Sequence, residues 1–201
     1  MLSKTEQHLL KILLSDFTKA YSIRELSRVA SLPYPQIHRS VQSLLKKQLL
    51  NKEQKGRSWE LTLNLKRGSD TFITVEMERK DDVLQKYAQL KILVKDLEGI
   101  SSFQFICILF GSYALHQAKK ESDIDFLFII PDAYPYAAFE KKIKHALTIS
   151  PLDIQITTEK GLLEMWQHPL QLNVGNEILK KHILLRGAEA FFLLRKKHYW
   201  G

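Results

Sequence analysis

The stretch FGS at residues 110–112, followed by SDIDFLFII at residues 122–130, decides how the second half of this chain folds. The apolar run predicts a buried strand, and the Gly-Ser pair predicts a turn into a helix. Because side chains alternate across a strand, Asp123 and Asp125 are expected on one face, with their Cα atoms about 6.6 Å apart. Two such carboxylates repel each other unless a cation or a basic group lies between them. The spacing therefore predicts a functional site.

These residues resemble the signature of the minimal nucleotidyltransferases, members of the DNA polymerase beta superfamily. In that family a strand ends in Gly-Ser, a helix follows, and the next strand begins with an Asp-x-Asp pair. The segment LDIQI at residues 152–156 resembles the later strand that carries the third carboxylate, here Asp153. The resemblance covers about residues 100–160. The chain departs from the family at two positions of the phosphate pocket, since the family usually has a small residue where His116 stands and often a basic residue near Leu115.

The resemblance implies a reaction in which an acceptor hydroxyl displaces pyrophosphate from a nucleoside triphosphate. Two Mg²⁺ ions suit an all-oxygen ligand set and stabilise both ends of such a displacement. The implied metal ligands and catalytic residues are Asp123, Asp125 and Asp153, of which Asp153 also takes the acceptor proton. The residues implied to bind the nucleotide phosphates are Gly111, Ser112 and Ser122, with the backbone N–H groups near Gly111 at a helix start.

Each of these residue types also occurs without a functional site. A Gly-Ser pair between a strand and a helix is often only a turn and an N-cap, and Ser122 can simply precede a strand. A single aspartate in an apolar strand, such as Asp153, is often an edge or salt-bridged residue. The three segments in this order favour a divalent-metal site, while the retention of catalysis stays an open question.

Positive charge is concentrated in the first third of the chain. The 201 residues carry a formal net charge of +8, and residues 1–70 hold 13 lysines and arginines against 6 acidic residues. Residues 71–201 hold 17 basic and 16 acidic residues and are nearly neutral. A polyanion is the natural partner of the first third.

Composition also predicts the cellular setting. The single cysteine, Cys107, lies in an apolar run and is expected to be a small buried hydrophobe. The first residues lack the continuous apolar core of a signal peptide, and no stretch approaches the length of a membrane-spanning helix. We therefore expect a cytoplasmic protein with no membrane partner. The seven histidines are scattered, without the spacing of a zinc site.

The first third predicts three helices and a hairpin. Ser3 with Glu6, and Ser22 with Glu25, have the capping-box spacing just before apolar helical patterns. A third helix is expected to enter through Pro35. Its residues turned toward the core are Ile37, Val41, Leu44 and Leu45. Strands at residues 49–53 and 58–63, separated by the polar tip QKGR, complete the hairpin.

This order resembles the winged helix-turn-helix of prokaryotic transcription regulators, particularly across residues 22–50. In such folds the third helix enters the major groove of double-stranded DNA, and the hairpin wing contacts the backbone or the minor groove. The residues expected to contact DNA are Gln36, Arg39, Gln42 and Ser43 on the exposed face of the third helix, Lys46 and Lys47 at its end, and Lys55 and Arg57 in the wing. The alternative is a protein-contact module with a solvated basic surface.

The predicted fold class is α+β, in three parts. Residues 1–65 form the winged helix-turn-helix domain, residues 66–100 a linker and an amphipathic helix, and residues 101–201 a mixed α/β nucleotidyltransferase domain with C-terminal helices. The linker is placed at residues 64–70 and the amphipathic helix at residues 81–97, because apolar residues there have helical spacing. Further strands are expected at residues 103–110 and around Asp123 and Asp153. Helices are expected up to about residue 147 and at residues 160–167, 176–185 and 188–197.

These observations predict a DNA-binding regulator that carries a nucleotidyltransferase domain. Such fusions resemble nucleotide-handling regulators or the nucleotidyltransferase members of toxin–antitoxin pairs, which implies transfer of a nucleotide to a partner protein. Two alternatives stay open: a regulator whose domain only senses nucleotide, and an enzyme that acts on RNA or a small molecule. Because winged-helix regulators often act as dimers on two-fold sites, we also expect a homodimer.

Overall fold

The computed structural model describes residues 1–100, 104–148 and 151–200, with side chains as far as residue 198. The chain divides into two compact units, Met1–Glu76 and Met77–Gly201. Among the described residues, no helix combines the length and the apolar character that crossing a membrane requires.

Three helices and a hairpin build most of the first unit. The elements are α1 Lys4–Ser15, α2 Ile23–Ala30, α3 Tyr34–Lys46, β1 Leu50–Lys55 and β2 Ser58–Leu63. Both predicted capping boxes are present, with each serine accepting from the backbone N–H of the glutamate three residues on and each glutamate accepting from the serine N–H. The predicted helices and hairpin are therefore confirmed as structural elements.

The core of the first unit joins the three helices to the hairpin. Leu9, Leu26 and Ile37 are fully buried, one from each helix. Tyr21 adds a backbone bridge to Leu61 of β2, with N···O distances of 3.1 and 2.9 Å, so the hairpin is anchored beside α2. Leu45, which was also expected in the core, is half-buried.

The segment predicted as a linker is packed. The N–H of Asn64 donates to the carbonyl of Leu49 at 2.9 Å, and Leu65 is buried. Helix α4, Ser69–Lys86, begins within the predicted linker. Its start follows Gly68, whose positive φ of 81° disfavours a side chain and whose Cβ position is crowded by the side chain of Leu49.

The prediction of one helix over residues 81–97 is wrong. Helix α4 ends at Lys86, and α5, Gln89–Glu98, begins after a break at Tyr87 and Ala88. The apolar spacing continues across the break, so sequence periodicity does not reveal it. The ring of Tyr87 packs edge-on against Tyr113, with 4.8 Å between centroids, and this contact joins segments that are distant in sequence.

The second unit is built on a mixed four-stranded sheet. Its strands are β3 Ile106–Phe110, β4 Ile124–Ile130, β5 Leu152–Thr158 and β6 Ile183–Arg186, in the order β5-β4-β3-β6. Strand β4 runs parallel to β5, and β3 is antiparallel to both β4 and β6. The helices are α6 Gly111–Ala114, α7 Tyr136–Ala146, α8 Glu159–Gln167, α9 Val174–Lys180 and α10 Ala188–Trp200. The α+β class is confirmed.

The two faces of this sheet are covered by different helices. Phe126 and Phe128 of β4 belong to the core that includes Leu93 of α5 and Phe139 of α7. The alternate residues of β4, among them Asp125, face the other side. Helix α8 contacts β4 and β5 there, and α9 and α10 contact β3. Asp125 therefore lies on the face that α8, α9 and α10 cover.

The expectation of a helix over residues 176–185 is wrong at its end. Helix α9 stops at Lys180, and the following residues form β6, in which Ile183 pairs with Leu109 and Leu184 with Ile108. The edge of β3 supplies the hydrogen-bonding partners of β6. The helical spacing of the apolar residues in this segment does not reveal that pairing. The expected strand at residues 103–110 begins at Ile106, and residue 103 lies outside the described residues.

Candidate functional site

The strand register brings the two central residues of the site together. Asp125 lies opposite Asp153 in the parallel pair of β4 and β5, and opposite Phe110 in the antiparallel pair of β3 and β4. Gly111 follows Phe110 directly. Gly111, Asp125 and Asp153 therefore lie at the same end of the sheet.

Gly111 is fitted against the carboxylate of Asp125. Its φ of +64° lies in the left-handed region, which side chains disfavour. A Cβ atom at this position would overlap the Oδ2 atom of Asp125. Gly111 therefore packs directly against a carboxylate, and its contact with nucleotide phosphates stays a prediction.

Asp123 is placed by a tight turn. Strand β4 begins at Ile124, so Asp123 precedes the strand and its side chain is exposed. The hydroxyl of Ser122 accepts from the backbone N–H of Lys119 at 2.9 Å, and the N–H of Ser122 donates to the carbonyl of Lys119 at 3.1 Å. Ser122 therefore holds Asp123 at the start of β4, and its hydroxyl keeps a proton that it can donate.

Negative charge accumulates around Asp125. Burial raises the pKa of this carboxyl, and the carboxylates of Asp153, Glu177 and Asp123 raise it further. Glu177 lies on α9 and was not predicted. Nothing in its sequence context distinguishes it from a solvated glutamate, because only the packing of α9 brings it near β4.

These carboxylates suit Mg²⁺ that arrives with a ligand. Among the described residues, no group of three histidine, cysteine or acidic side chains is arranged to hold a metal ion. Mg²⁺ prefers oxygen ligands and is usually held by one or two carboxylates together with substrate phosphates. A cation between Asp125 and Asp153 would relieve the repulsion that raises the pKa of Asp125. The donor set therefore fits the metal.

The one-turn helix α6 follows directly after β3. Ser112 is half-buried within it, and its carbonyl accepts from the N–H of Gln117 at 2.9 Å. His116 has a φ of +58°, so it adopts the left-handed conformation that a glycine would adopt without strain. The departure from the family that the sequence shows at His116 thus falls at a residue with a left-handed backbone conformation.

A lysine lies beside this turn. The Nζ of Lys86 donates to the carbonyl of His116 at 2.7 Å, and the His116 ring stacks near Tyr87, with 6.5 Å between centroids. Burial lowers the pKa of His116, and the charge of Lys86 lowers it further. Lys86 was not predicted, and it adds positive charge at a turn where Leu115 supplies none.

In the first unit, three of the residues predicted to contact DNA have partners on α1. The amide of Gln36 donates to the hydroxyl of Thr5 at 2.8 Å, and the hydroxyl of Ser43 bonds to the carboxylate of Glu6. Lys47 also pairs with Glu6, at 2.8 Å. These contacts fix α3 against α1, and their residues lie along the edge of the exposed face.

The centre of that face is exposed and basic. Arg39, Gln42 and Lys46 are exposed. Arg39 and His38 line a cleft of about 360 Å³ together with Tyr34 and Pro35. Tyr34, at the start of α3, is 46% exposed.

Helix α2 adds a second basic group that the sequence reasoning missed. Arg24 and Arg28 line a cleft of about 560 Å³ with Ser27 and Tyr34. The two arginines are four residues apart, so helical spacing alone places them on one face. The four-residue spacing of the two arginines was the signal in the sequence that could have identified this basic group.

The wing presents a further aromatic residue. Lys55 and Arg57 are exposed, as expected, and Lys55 lies 3.5 Å from the carboxylate of Glu60. Trp59 is 47% exposed, and the Nζ of Lys52 lies 4.2 Å from its ring centroid. This arrangement is a cation–π contact, which holds the lysine against the tryptophan ring.

The carboxylates and most of the sheet lie in the part of the chain that matches a protein-family model. Residues 90–183 match the family model described as a nucleotidyltransferase domain. This range includes Gly111, Asp125 and Asp153, so the predicted resemblance is confirmed for this part of the chain, and it supports a nucleotide-transfer function. No curated protein and no solved structure gave a significant match to the chain.

Proposed function

We propose that the second unit binds a nucleoside triphosphate with Mg²⁺ and transfers its nucleotide to a hydroxyl of a partner protein, releasing pyrophosphate. The observation that carries this proposal is the pairing of Asp125 with Asp153 beside Gly111. The choice of a protein acceptor follows the predicted resemblance to the nucleotidyltransferase members of toxin–antitoxin pairs. Asp123 and Glu177 add negative charge around the same strand end.

The reaction assigns a role to each residue. The acceptor oxygen forms a bond to the α-phosphorus, the bond from that phosphorus to the bridging oxygen breaks, and pyrophosphate leaves. Asp153 is exposed and takes the acceptor proton. Two bound Mg²⁺ ions would neutralise the charge that develops on the phosphates. Asp123, Asp125 and Asp153 would hold them, and Ser112, Ser122 and the backbone at Gly111 would hold phosphate oxygens.

The first unit, in this proposal, is a winged helix-turn-helix domain that binds double-stranded DNA as a homodimer. Helix α3 would enter the major groove with Arg39 and Gln42 at the base edges. Lys46, Lys55 and Arg57 would contact phosphates. Arg24 and Arg28 on α2 add positive charge next to α3.

A second candidate is a regulator whose nucleotidyltransferase domain senses nucleotide without turnover. The observation that favours it is the turn at Leu115 and His116, which would lie beside the nucleotide phosphates. Leu115 carries no charge, and the carbonyl of His116 already accepts a hydrogen bond from Lys86. Transfer to RNA or to a small molecule is the further alternative. Retained turnover separates the enzyme from the sensor, and the chemical nature of the labelled product identifies the acceptor.

The test is incubation of the full chain with nucleotides labelled at the α-phosphate, Mg²⁺ and cell extract. We expect a labelled protein band that requires Mg²⁺ and disappears in the Asp123→Ala, Asp125→Ala double variant. Label found in RNA or in a small molecule would instead identify that molecule as the acceptor. Mg²⁺-dependent nucleotide binding without any transfer would identify the sensor.

A further inference from the structure

The sheet of the second unit has two edges of different character. Strand β6, at one edge, has four residues, of which Ile183, Leu184 and Leu185 are buried. Its pairing with β3 is irregular between Cys107 and Ile108. Strand β5, at the other edge, has seven residues, all of them half-buried or exposed, and its pairing with β4 is regular over its whole length. Strand β5 therefore presents the longer and more exposed edge.

Strand β5 lacks the features that usually protect such an edge. Proteins blunt edge strands with lysine, proline, bulges or a covering segment, because unpaired backbone N–H and C=O groups recruit another strand. The sequence LDIQITT of β5 contains no lysine, arginine or proline, and its one charged residue is Asp153. Among the described residues, no strand pairs with β5 on the side away from β4. The backbone of β5 is thus available to a further strand.

The side chains of β5 divide between the two faces of the sheet. The apolar residues, which pack against the core, are Leu152, Ile154 and Ile156. The polar residues on the opposite face, which also carries Asp125, are Asp153, Gln155 and Thr157. An added strand must match this division, because a slip of one residue would set its polar side chains on the apolar face.

A second copy of β5 matches this division when it pairs antiparallel about Gln155. The opposed pairs are then Gln155 with the partner's Gln155, Ile154 with the partner's Ile156, Asp153 with the partner's Thr157, and Leu152 with the partner's Thr158. All seven residues of β5 take part, the two isoleucines meet on the core face, and no two carboxylates are opposed. A register centred on Asp153 would oppose two carboxylates and shorten the pairing. The strand is therefore complementary to itself, and a second copy is the occupant that its own sequence specifies.

We propose that two copies of the chain pair through β5 and join their four-stranded sheets into one continuous sheet. The two-fold axis passes between the two Gln155 residues, and the same patch of each copy forms the interface. The two Asp153 residues then lie on one face, about 13 Å apart along the strand direction at about 3.3 Å per residue. Each site gains the partner's Thr157 beside Asp153. This contribution to the site rests on the proposed function, whereas the strand pairing does not.

The first test measures the mass of the full chain by sedimentation equilibrium over a concentration series. The wild type should form dimers. Gln155→Lys and Gln155→Glu each place like charges at the two-fold axis, so each variant alone should dimerise at least about tenfold more weakly. An equimolar mixture of the two should dimerise as well as the wild type, because opposite charges then meet at the axis. Gln85→Lys, at an exposed position of α4, is the matched control and should leave the dimer unchanged.

A cysteine at the axis tests the register directly. Opposed Cα atoms of antiparallel strands are about 4.5–5.5 Å apart, which lies within the range of a disulfide. Gln155→Cys should therefore give a covalent dimer on mild oxidation, whereas Gln85→Cys should not. The native Cys107 is buried and does not compete.

The results separate the strand pairing from the proposed function. A wild type that is monomeric across the series, or a dimer that survives both charged variants and gives no cross-link at Gln155, would overturn the pairing. Nucleotide transfer should fall in proportion to the dimer in each charged variant and recover in the mixture. Transfer that persists in the dissociated variants would remove Thr157 from the site. Absence of transfer in a dimeric wild type would instead contradict the proposed function and leave the pairing standing.

Discussion

Asp125 and Asp153 lie directly opposite each other on the parallel strands β4 and β5, although 28 residues separate them in the sequence. Neighbouring strands are about 4.8 Å apart, which is closer than the separation expected for Asp123 and Asp125 along one strand. The Cα atoms of Asp125 and Asp153 are therefore expected to be closer than those of Asp123 and Asp125. Repulsion between the carboxylates of Asp125 and Asp153 contributes to the raised pKa of Asp125.

Replacing Asp125 by Asn should change stability and ligand binding in opposite directions. The folded protein raises the pKa of Asp125 above its ordinary value of 3.8. The carboxyl therefore stabilises the fold at pH values below 3.8, and this contribution is lost as the pH rises through the raised pKa. At pH 7 the ionised form opposes folding. Asp125→Asn should then raise the melting temperature without Mg²⁺ and lower Mg²⁺–nucleotide affinity by about tenfold or more.

Calorimetry and thermal unfolding of the same samples measure both effects. The charge-matched control is Asp81→Asn, on the exposed side of α4, which should change neither quantity. A lower melting temperature together with an unchanged affinity would remove Asp125 from the proposed site. Nucleotide binding by the wild type should also weaken as the pH falls through the raised pKa.

Replacing Asp153 by Asn should affect transfer more than binding. The amide keeps the shape of the side chain but cannot accept the acceptor proton, so single-turnover transfer should fall by about 10² or more. Nucleotide affinity should change much less than in Asp125→Asn. Transfer at the wild-type rate would exclude Asp153 as the base, whereas absence of transfer in both proteins would favour the sensor.

Replacing Gly111 by Ala should abolish nucleotide binding for a steric reason. The new Cβ would overlap the carboxylate of Asp125, and the φ of +64° adds strain of about 1–3 kcal/mol. Gly56→Ala is the matched control, because Gly56 has a φ of +60° and open space around its Cα. Both variants should lose stability in thermal unfolding, but only Gly111→Ala should lose nucleotide binding in calorimetry.

Two basic residues of the first unit should affect DNA binding differently. Arg39→Ala should relax sequence preference, at a cost of about 1–3 kcal/mol for a bidentate base contact. Lys55→Ala should weaken binding to all duplexes alike and reduce the salt slope by about 1. Anisotropy titrations of the full chain at several salt concentrations measure both effects.

The control for this comparison is Lys91→Ala, an exposed lysine on α5 of the second unit, which should leave DNA binding unchanged. If the wild type shows no salt-sensitive binding to duplex DNA at low ionic strength, the first unit is a protein-contact module. Tighter binding to RNA than to duplex DNA would favour the RNA alternative.

The ion pair of Glu6 with Lys47 should make the first unit sensitive to acid. Burial raises the pKa of Glu6, but hydrogen bonds from Lys47, Ser43 and Ser3 outweigh this effect and hold it at about 2. The ionised carboxylate of Glu6 therefore stabilises the fold at pH values above 4.5, its ordinary pKa. This contribution is lost as the pH falls toward 2. Glu6→Gln should cost about 1–3 kcal/mol at pH 7, because charge-assisted hydrogen bonds are lost.

Denaturant unfolding at pH 7 and pH 3 checks this expectation. The difference in stability between the two pH values should be smaller in Glu6→Gln than in the wild type. Glu53→Gln, at an exposed position of β1, is the control and should behave like the wild type. Equal pH dependence in all three proteins would contradict the role of the ion pair.

Local interactions explain why much of the fold was predictable from the sequence. The capping boxes that begin with Ser3 and Ser22 depend on residues three positions apart, and both helix starts are where the sequence places them. The positive φ of Gly111 reflects a local demand of the turn after β3. Asp123 and Asp125 were identified as candidate ligands because two carboxylates at this spacing repel each other without a cation or a basic partner.

The remaining features depend on pairing between distant segments. Strand β6 forms because Ile183 and Leu184 complete the edge of β3, and that edge exists only after the sheet has assembled. The approach of Glu177 to Asp125, and the engagement of Ser43 by Glu6, likewise follow from the packing of one helix on another element. The sequence by itself determined which residues could serve the site and where the local elements begin. The tertiary structure decided which of those residues meet, because strand register and helix packing bring together side chains that no local periodicity connects.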